Sequence, residues 1–427
     1  MTNLVLSNLN LKAGRLNNRR QHCLEPSFDV KLRRPNDLLQ TFQWNQWVSQ
    51  LMPDQSKFSL LAATRHIGWG GVGKLRLILE KLPCAEVALY GDEHSTAITK
   101  EFLGSRHKFS GHPPQRLDVA LVINDPAAAN SIADLNVPVV YVDSLPYVHR
   151  TDTDIPALAK VAYYCAQKYP VELLPLTSPL LRKWHDIKWI DPIVPIPRSR
   201  CGGRGIVVNV GGLYTYNVGG VQSDLGDNAV DAYLTLVLFP LVSLLQTSGR
   251  KISAICGNLN AEACRRLRAM LPECDAIGPQ PPHAFERTLT DADLLITSPG
   301  STTILQAMSI NLPTLLLPSQ NRSQFFNARL YSKPDADIMR WPVSVLDEAK
   351  LEQMRSQGIS AVLGYVFKSI IDAATSQEIS DEVATIIRKA IYNAPVDGVL
   401  NPCLSVLGTA GADQVAQLVK QAALRHQ

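Results

Sequence analysis

From Lys57 onward, short continuous apolar runs alternate with helix-length amphipathic segments, and this alternation restricts the fold more than any other feature of the chain. Runs that lack a polar face are typical of strands covered on both sides, and strands that alternate with helices predict parallel sheets. The predicted strands are 58–64, 85–91, 118–124, 138–143, 205–212, 251–258, 275–278, 293–298 and 313–319. The predicted helices are 73–82, 127–134, 154–168, 228–248, 260–270, 282–290, 301–310 and 321–331, followed by tail helices at 346–356, 365–374, 379–393 and 411–425.

A stretch rich in proline, glycine and arginine, residues 191–205, interrupts the alternation and is typical of an exposed linker. The chain is also too long for one core, since a domain averages roughly 150 residues. We therefore predict two doubly wound, Rossmann-like α/β domains that face a cleft. The predicted parts are an N-terminal arm at 1–56, a first domain at 57–195, a second domain at 196–345 and a helical segment at 346–427 that completes both domains.

The amino-acid composition excludes several classes of protein. With 46% hydrophobic and 19% charged residues, the chain carries enough apolar material for packed cores and is not mainly disordered. A formal net charge of +4 is too small to indicate nucleic-acid binding. No run of about 18 uncharged apolar residues stands out, so we predict no membrane span.

The cysteines and the N-terminal residues give expectations about location and assembly. The eight cysteines form no CxxC pair, and residues 1–25 lack an apolar signal core, so we expect reduced thiols in a cytoplasmic protein. Residues 1–56 contain basic clusters. The favoured interpretation is an arm that packs on the body or on a neighbouring subunit of a homo-oligomer. The alternative is an arm that contacts phosphate or a membrane surface.

The loop after strand 293–298 carries the clearest binding signal. Pro299 and Gly300 form a turn, and Ser301, Thr302 and Thr303 open a helix whose free N–H groups and hydroxyls suit a pyrophosphate. Gln306 follows one turn further along the same helix. The next helix presents Gln324 and Asn327 on one face, and side-chain amides suit hydroxyl-rich ligands rather than metals.

A second glycine pair follows strand 205–212. Gly211 and Gly212 allow the backbone to approach a phosphate or a sugar closely, and a tight turn without ligand contact is the alternative interpretation.

The segments SPGSTT and QFFNA, separated by a strand that follows Leu-Pro, resemble the donor-sugar half of GT-B glycosyltransferases of the family-28 type. The resemblance implies that Gly300, Ser301, Thr302 and Thr303 hold the diphosphate of a UDP-sugar, and that Gln324 contacts the sugar. Gln306 stands where that family usually has an acidic residue on the ribose hydroxyls, which is a departure from its pattern. The family needs no bound metal or cofactor, and the UDP-sugar enters as co-substrate.

The first domain matches the family less closely. A glycine-rich loop there often ends in Gly-His, but Gly71 occupies the histidine position in this chain, and His66 is the nearest histidine. His66 is therefore the first candidate for a catalytic base, with a surface histidine as the alternative. Asp143 and His149 follow strand 138–143 and are further catalytic candidates, with a solvated polar loop as the alternative.

The segment GWGGVGK at 68–74 also matches the phosphate-binding loop of nucleoside triphosphatases. Leu75 stands where that motif requires a Ser or Thr on magnesium. In the transferase interpretation, Gly70, Gly71, Gly73 and Lys74 instead form a loop that faces a phosphate or an anionic acceptor.

The leading hypothesis is an inverting, metal-independent transfer of a sugar from a nucleotide-diphospho-sugar, most simply a UDP-sugar, to a small soluble acceptor. N-glycosylation of a nucleobase in specialised metabolism is a narrower version of it. The alternatives are a P-loop triphosphatase, a GT-B-like nucleotide-sugar epimerase and a non-catalytic nucleotide-sugar-binding partner.

Overall fold

The computed structural model describes residues 58–64, 70–91, 116–195, 199–212, 223–336, 338–354 and 357–426, apart from Cys84, together with Thr96, Thr99, Lys100 and Leu103. The chain divides into two units, Met1–Ser56 and Lys57–Gln427. The predicted arm and its oligomer contact lie outside the described residues, and so does His66.

Six parallel strands form the first sheet, in the order β2-β1-β3-β4-β5-β6. β3 and β4 are buried along their whole length, as expected of strands that helices cover on both faces. The strands are β1 (Phe58–Thr64), β2 (Ala85–Tyr90), β3 (Val119–Ile123), β4 (Val139–Asp143), β5 (Tyr163–Gln167) and β6 (Lys188–Ile190). The helices between them are α1 (Gly70–Leu79), α2 (Pro126–Ala133) and α3 (Pro179–Lys183), with 3₁₀ turns at Pro146–Val148, Asp152–Asp154 and Leu158–Lys160.

Five parallel strands form the second sheet, in the order β11-β10-β7-β8-β9. They are β7 (Ile206–Asn209), β8 (Ile252–Cys256), β9 (Ala276–Gly278), β10 (Leu294–Thr297) and β11 (Thr314–Leu316). The helices are α4 (Ser223–Tyr233), which continues through a π-helical segment (Leu234–Leu238) into α5 (Phe239–Thr247), then α6 (Ala261–Met270), α7 (Pro282–Asp291), α8 (Ser301–Ser309) and α9 (Arg322–Tyr331). The two sheets confirm the predicted pair of doubly wound α/β domains.

The C-terminal helices pack on both domains. They are α10 (Glu348–Met354), α11 (Ile359–Ala374), α12 (Gln377–Tyr392), α13 (Leu404–Leu407) and α14 (Gly411–His426). α11 and α12 bury Val366 and Ile387 in the core of the second domain. α14 returns to the first domain, where Val415 and Val419 lie fully buried against β1, β3 and β4.

The predicted helix at 154–168 is wrong. The structure has two 3₁₀ turns there, and the strand β5 occupies its C-terminal third. Pro156 disfavours a continuous helix, and the aromatic run at Tyr163 and Tyr164 favours a strand. Tyr164 is fully buried and packs 5.4 Å, ring to ring, from Tyr141 of β4. The hydrophobic pattern does not distinguish a helix from a strand here, because β5 is only five residues long.

The long apolar helix at Leu225–Thr247 is part of the second core. By length and composition alone it could cross a membrane, with a mean hydropathy of 1.7 over 18 residues. Leu234, Val237 and Leu241 are nevertheless buried in the core of the second domain. The π-helical segment lies just before Pro240, whose ring and missing N–H interrupt an ordinary helix.

The predicted linker is exposed only in its second half. Ile193 and Val194 are buried, and Ile193 bridges to Ala410 at the start of the last helical segment. Arg200 and Cys201 are exposed. The first half of the predicted linker therefore packs between the two domains and is not a free tether.

Candidate active site

A cavity of about 190 Å³ lies where the carboxyl ends of the strands of both sheets meet. The strand order reverses between β1 and β3 in the first sheet and between β7 and β10 in the second. Neighbouring chain segments diverge at such points and leave a crevice, which is where open α/β sheets bind ligands. The first turns of α1 and the loops that follow β3, β7 and β10 all contribute to the cavity wall.

The N-terminus of α8 forms one wall. Gly300 is its N-cap and has no side chain, so the cap residue supplies no hydrogen bond to the amides that follow. A Cβ at Gly300 would meet nothing within 4 Å, and its φ of −73° is open to any residue. Neither packing nor backbone conformation therefore requires glycine here, and the missing side chain leaves room for a ligand.

The loop after β7 is held by Asn209 against the end of β10, the strand that leads into this helix. Its Nδ2 donates to Thr297 Oγ1 at 3.0 Å, and its Oδ1 accepts from Gly211 N at 3.1 Å. Gly211 has a φ of +67°, and a Cβ there would lie 3.0 Å from Ser298 Oγ. Gly211 thus has a conformational reason to be glycine, and it lines the cavity together with Gly212.

Gln324 and Asn327 of α9 differ in whether their side-chain amides have hydrogen-bonding groups left for a ligand. Gln324 uses its Oε1 to accept from Gln320 N at 2.7 Å, while its Nε2 has no protein partner among the described residues. Asn327 is fully engaged, because its Nδ2 donates to Pro299 O and its Oδ1 accepts from the Tyr147 hydroxyl at 2.6 Å. Both line the cavity, yet Asn327 is chiefly a support for the Pro299 turn.

Gly70, Gly71, Gly73 and Lys74 do not form a loop in the structure, which corrects that part of the prediction. Gly70, Gly71 and Gly73 already belong to the first turns of α1, and Lys74 follows them inside the helix. A P-loop wraps its phosphate before the helix begins, so this segment differs from one. The three glycines and Lys74 do line the cavity.

Lys74 reaches across the cavity to the second domain. Its Nζ donates to Thr302 Oγ1 at 2.8 Å, and the side chain is 1% exposed. Burial lowers the pKa of Lys74 to about 8. Gly70 also lies close to Thr302, since a Cβ added at Gly70 would be 3.1 Å from Thr302 Oγ1. The start of α1 and the N-terminus of α8 therefore face each other.

Asn124 and Ser144 complete the wall on the first domain, and sequence reasoning did not select them as site residues. Asn124 adopts a left-handed φ of 54° at the end of β3. Its amide donates to Ser144 Oγ and accepts from Ser144 N, both at 2.9 Å. Their position directly after buried strands was the available signal, but asparagine and serine are common in such turns.

Asp143 and His149 do not line the cavity. The Asp143 carboxylate is 1% exposed and accepts hydrogen bonds from Leu145 N at 2.9 Å, from His149 Nε2 at 2.7 Å and from the Tyr164 hydroxyl. Burial alone would lower the pKa of His149, but Asp143 beside it, through charge and hydrogen bond, raises that pKa above its usual value. The two residues form a satisfied buried cluster behind the cavity wall.

In addition to the bond between Lys74 and Thr302, further cross-domain contacts surround the cavity. Arg76 on α1 pairs with Glu286 on α7 and with Glu80 on its own helix. Tyr147 bonds to Asn327 as described, and burial raises the pKa of its phenol well above 10. Arg322 donates to the carbonyl of Val148. These polar contacts hold the described parts of the two domains together on either side of the cavity.

No metal site stands out among the described residues. No group of three or more His, Cys, Asp or Glu side chains converges there. The described Asp-x-Asp triplets lie outside the cavity and are engaged elsewhere: Asp152 accepts from Ser178 and Leu180, and Asp293 accepts from Gly203 N and Gly205 N. The charged side chains that line the described cavity are Lys74 and Arg76 alone.

No family model matches the chain, and no curated protein sequence matches it. Among solved structures, the chain is similar to MurG of Acinetobacter baumannii, at 10% identity and a TM-score of 0.41 over 85% of this chain and 99% of that one. It is also similar to UGT89C1 of Arabidopsis thaliana complexed with UDP-L-rhamnose, at 15% identity and a TM-score of 0.44 over 78% and 100%. A third similar structure is the UDP-GlcNAc 2-epimerase of Neisseria meningitidis, at 10% identity and a TM-score of 0.37 over 86% and 99%.

The two sheets define the architecture independently of these similarities. Each is a parallel α/β sheet, and the carboxyl ends of their strands line the same cavity. Two such domains facing one cleft constitute the GT-B architecture, so the fold that the sequence resemblance implied is the fold that the chain adopts.

Proposed function

We propose that the protein is a glycosyltransferase that transfers a sugar from a nucleotide-diphospho-sugar, most simply a UDP-sugar, to a small acceptor. The observation that carries this proposal is the open N-terminus of α8 at Gly300, which faces a buried ammonium, Lys74, across the cavity. A helix N-terminus attracts anions through its free amides and its dipole. The ammonium of Lys74 lies on the opposite wall and has no carboxylate partner among the described residues, which makes the same position suit a diphosphate.

The donor is accommodated by the second domain in this proposal. The amides of Ser301, Thr302 and Thr303 bind the diphosphate, and the empty space at Gly300 lets it approach the backbone. Gln306 lines the cavity one turn further along and has no side-chain partner among the described residues. Its amide hydrogen-bonds the ribose hydroxyls without the charge assistance that a carboxylate would give. The unpartnered Nε2 of Gln324 is left for a sugar hydroxyl.

The chemistry is a displacement at the anomeric carbon. The acceptor attacks from the first-domain wall, near Asn124 and Ser144, the bond to the diphosphate oxygen breaks, and the nucleoside diphosphate leaves with inversion. Positive charge at the N-terminus of α8 stabilises the negative charge that develops on the leaving oxygen. Because the protein itself supplies that charge, we propose that transfer requires no metal ion.

The acceptor is proposed to be small and soluble. No carboxylate or imidazole lines the cavity among the described residues, and His66, the first candidate for a base, lies outside them. An alcohol oxygen attacks efficiently only when a base removes its proton, whereas a ring nitrogen with an in-plane lone pair is nucleophilic without prior deprotonation and releases any N–H proton to water after the bond to the sugar has formed. This favours the narrower proposal of a nitrogen acceptor such as a nucleobase, for which His66 is dispensable.

A direct test combines nucleotide binding with turnover. Isothermal titration of the full chain with UDP, GDP, TDP and ATP, with and without magnesium, should give binding of UDP that does not depend on the metal. Incubation with UDP-sugars and a panel of small alcohols, phenols and nucleobases should then release UDP together with a glycosylated product.

The same experiment separates the alternatives. Binding and hydrolysis of ATP only with magnesium would overturn the proposal in favour of a triphosphatase. Binding of UDP-sugar with conversion to an isomeric UDP-sugar would indicate an epimerase. Tight UDP-sugar binding without any turnover across the acceptor panel would indicate a binding protein.

A further inference from the structure

The side chain of Lys74 is unusual for a buried cation. It belongs to the first domain, yet its Nζ contacts Thr302 Oγ1 of the second domain at 2.8 Å. It forms no ion pair among the described residues, and a hydroxyl is its hydrogen-bond partner. Removing an ammonium from water without a counter-ion is costly, since a buried charge is normally paired.

Arg76, two residues further along α1, provides an internal comparison. It is similarly buried, at 4% exposure, but it pairs with the carboxylates of Glu80 and Glu286. Among the described residues, the chain therefore supplies counter-charges to one cation of this helix and none to its neighbour. What faces Lys74 instead is the N-terminus of α8, which is itself the positive end of a helix dipole.

Two positive groups that face each other across a cavity repel until an anion enters between them. Burial lowers the pKa of Lys74 to about 8, because the charged form loses its hydration. The empty volume at Gly300, on the same helix end as Thr302, is where such an anion fits without steric conflict.

Building on the proposed function, we propose that Lys74 is the first domain's contact with the donor diphosphate. Its ammonium leaves the Thr302 hydroxyl for a phosphate oxygen and so ties the two domains together around the anion. During transfer the bond between the anomeric carbon and the diphosphate oxygen breaks, and the electron pair remains on that oxygen. Lys74 then stabilises the departing nucleoside diphosphate without donating a proton. In this role Lys74 contacts the leaving group directly.

The test compares uridine with UDP in Lys74→Met and in a matched control. The control is Lys81→Met, because Lys81 follows the same helix but pairs with Asp413 at 2.9 Å, outside the cavity. Isothermal titration should show UDP affinity reduced about ten- to a hundredfold in Lys74→Met, the usual size of one charge-assisted contact. Uridine affinity should be unchanged, and Lys81→Met should bind both ligands as the wild type does.

Thermal unfolding without ligand separates this role from a structural one. Replacing an unpaired buried ammonium with a methionine of similar length should leave the melting temperature unchanged or raise it. A lower melting temperature together with an equal loss of uridine and UDP affinity would overturn the inference, because Lys74 would then merely support the fold. Unchanged UDP affinity in Lys74→Met would overturn it as well.

The pH dependence of UDP binding gives a second, independent readout. The phosphates of UDP are fully ionised above about pH 7, since the second ionisation of a phosphate monoester lies near pH 6. UDP affinity of the wild type should therefore fall as the pH rises above about 8 and Lys74 loses its proton. Lys74→Met should show no such fall between pH 7 and pH 9, and a fall of equal size in that variant would contradict the inference.

Failure of this inference can be distinguished from failure of the proposed function. If the wild type binds no nucleoside diphosphate under any condition, the proposed function itself is wrong. If the wild type binds UDP and transfers sugar while Lys74→Met does both equally well, only the role of Lys74 is wrong.

Discussion

The two walls of the cavity use their polar groups differently. On the second domain, the backbone amides in the first turn of α8 and the Nε2 of Gln324 have no hydrogen-bond partner among the described residues and line the cavity. On the first domain, Asn124 and Ser144 bond to each other, and Asp143 is saturated by three donors behind the wall. Lys74 is the exception on that side, because it crosses to Thr302.

This difference separates binding groups from supporting groups. Buried polar groups are normally satisfied within the protein, and those that remain open at a cavity are available to a ligand. Asp143 and His149 qualified as catalytic candidates by their position after β4, but their hydrogen bonds assign them to the scaffold. Gly300 and Gly211 differ in the same way. Gly300 has open space before it, which is available to a ligand, whereas the positive φ of Gly211 requires a glycine for the fold.

The largest expected effect tests the two glycines against each other. Gly300→Trp should reduce UDP affinity by about a hundredfold or more, because it fills the space where two charge-assisted contacts would form, while the melting temperature stays near that of the wild type. Gly211→Ala should instead destabilise the fold, since a residue with a Cβ is strained at a φ of +67°. Calorimetric titration and thermal unfolding of both variants check this. Loss of stability in Gly300→Trp with unaltered UDP binding would remove the distinction.

The next effect concerns Asp143. Asp143→Asn keeps the size of the side chain but replaces an acceptor oxygen with a donor, so the donors at Leu145, His149 and Tyr164 cannot all be satisfied. We expect the free energy of unfolding to fall by about 2–3 kcal/mol, with UDP affinity of the folded protein nearly unchanged. Urea denaturation and titration measure the two quantities. A variant of normal stability that has lost sugar transfer would place Asp143 in the catalytic machinery after all.

The smallest effect is a pH dependence of stability due to His149. Because the folded protein raises the pKa of His149, its protonated form contributes stability that is fully present below the unfolded pKa of about 6.5. That contribution is lost as the pH rises through the folded pKa. The stability difference between the wild type and His149→Gln should therefore shrink from pH 5.5 to pH 8.5 in urea denaturation. His283→Gln, at a more exposed histidine, is the control and should show little change. A difference that grows with pH would contradict the assignment.

Much of the fold was predictable because it depends on local pattern. The continuous apolar runs identified most strands to within a few residues, and SPGSTT identified the N-terminus of α8. The exceptions were short or ambiguous segments. The pattern predicts a helix where β5 lies. β6 carries no recognisable strand signal, because it is three residues long and both Lys188 and Trp189 are exposed.

The sequence by itself determined two parallel α/β domains and the chemistry of the α8 N-terminus, since strand burial, turn glycines and helix starts are set by neighbouring residues. Only the tertiary structure decided which polar residues are open and which are satisfied. Lys74 and Thr302 are 228 positions apart, and Tyr147 and Asn327 are 180 apart. Contacts over such separations depend on how the two sheets face each other, which no local pattern encodes. Within the described part of the chain, that arrangement gives Arg76 its carboxylates and leaves Lys74 without one.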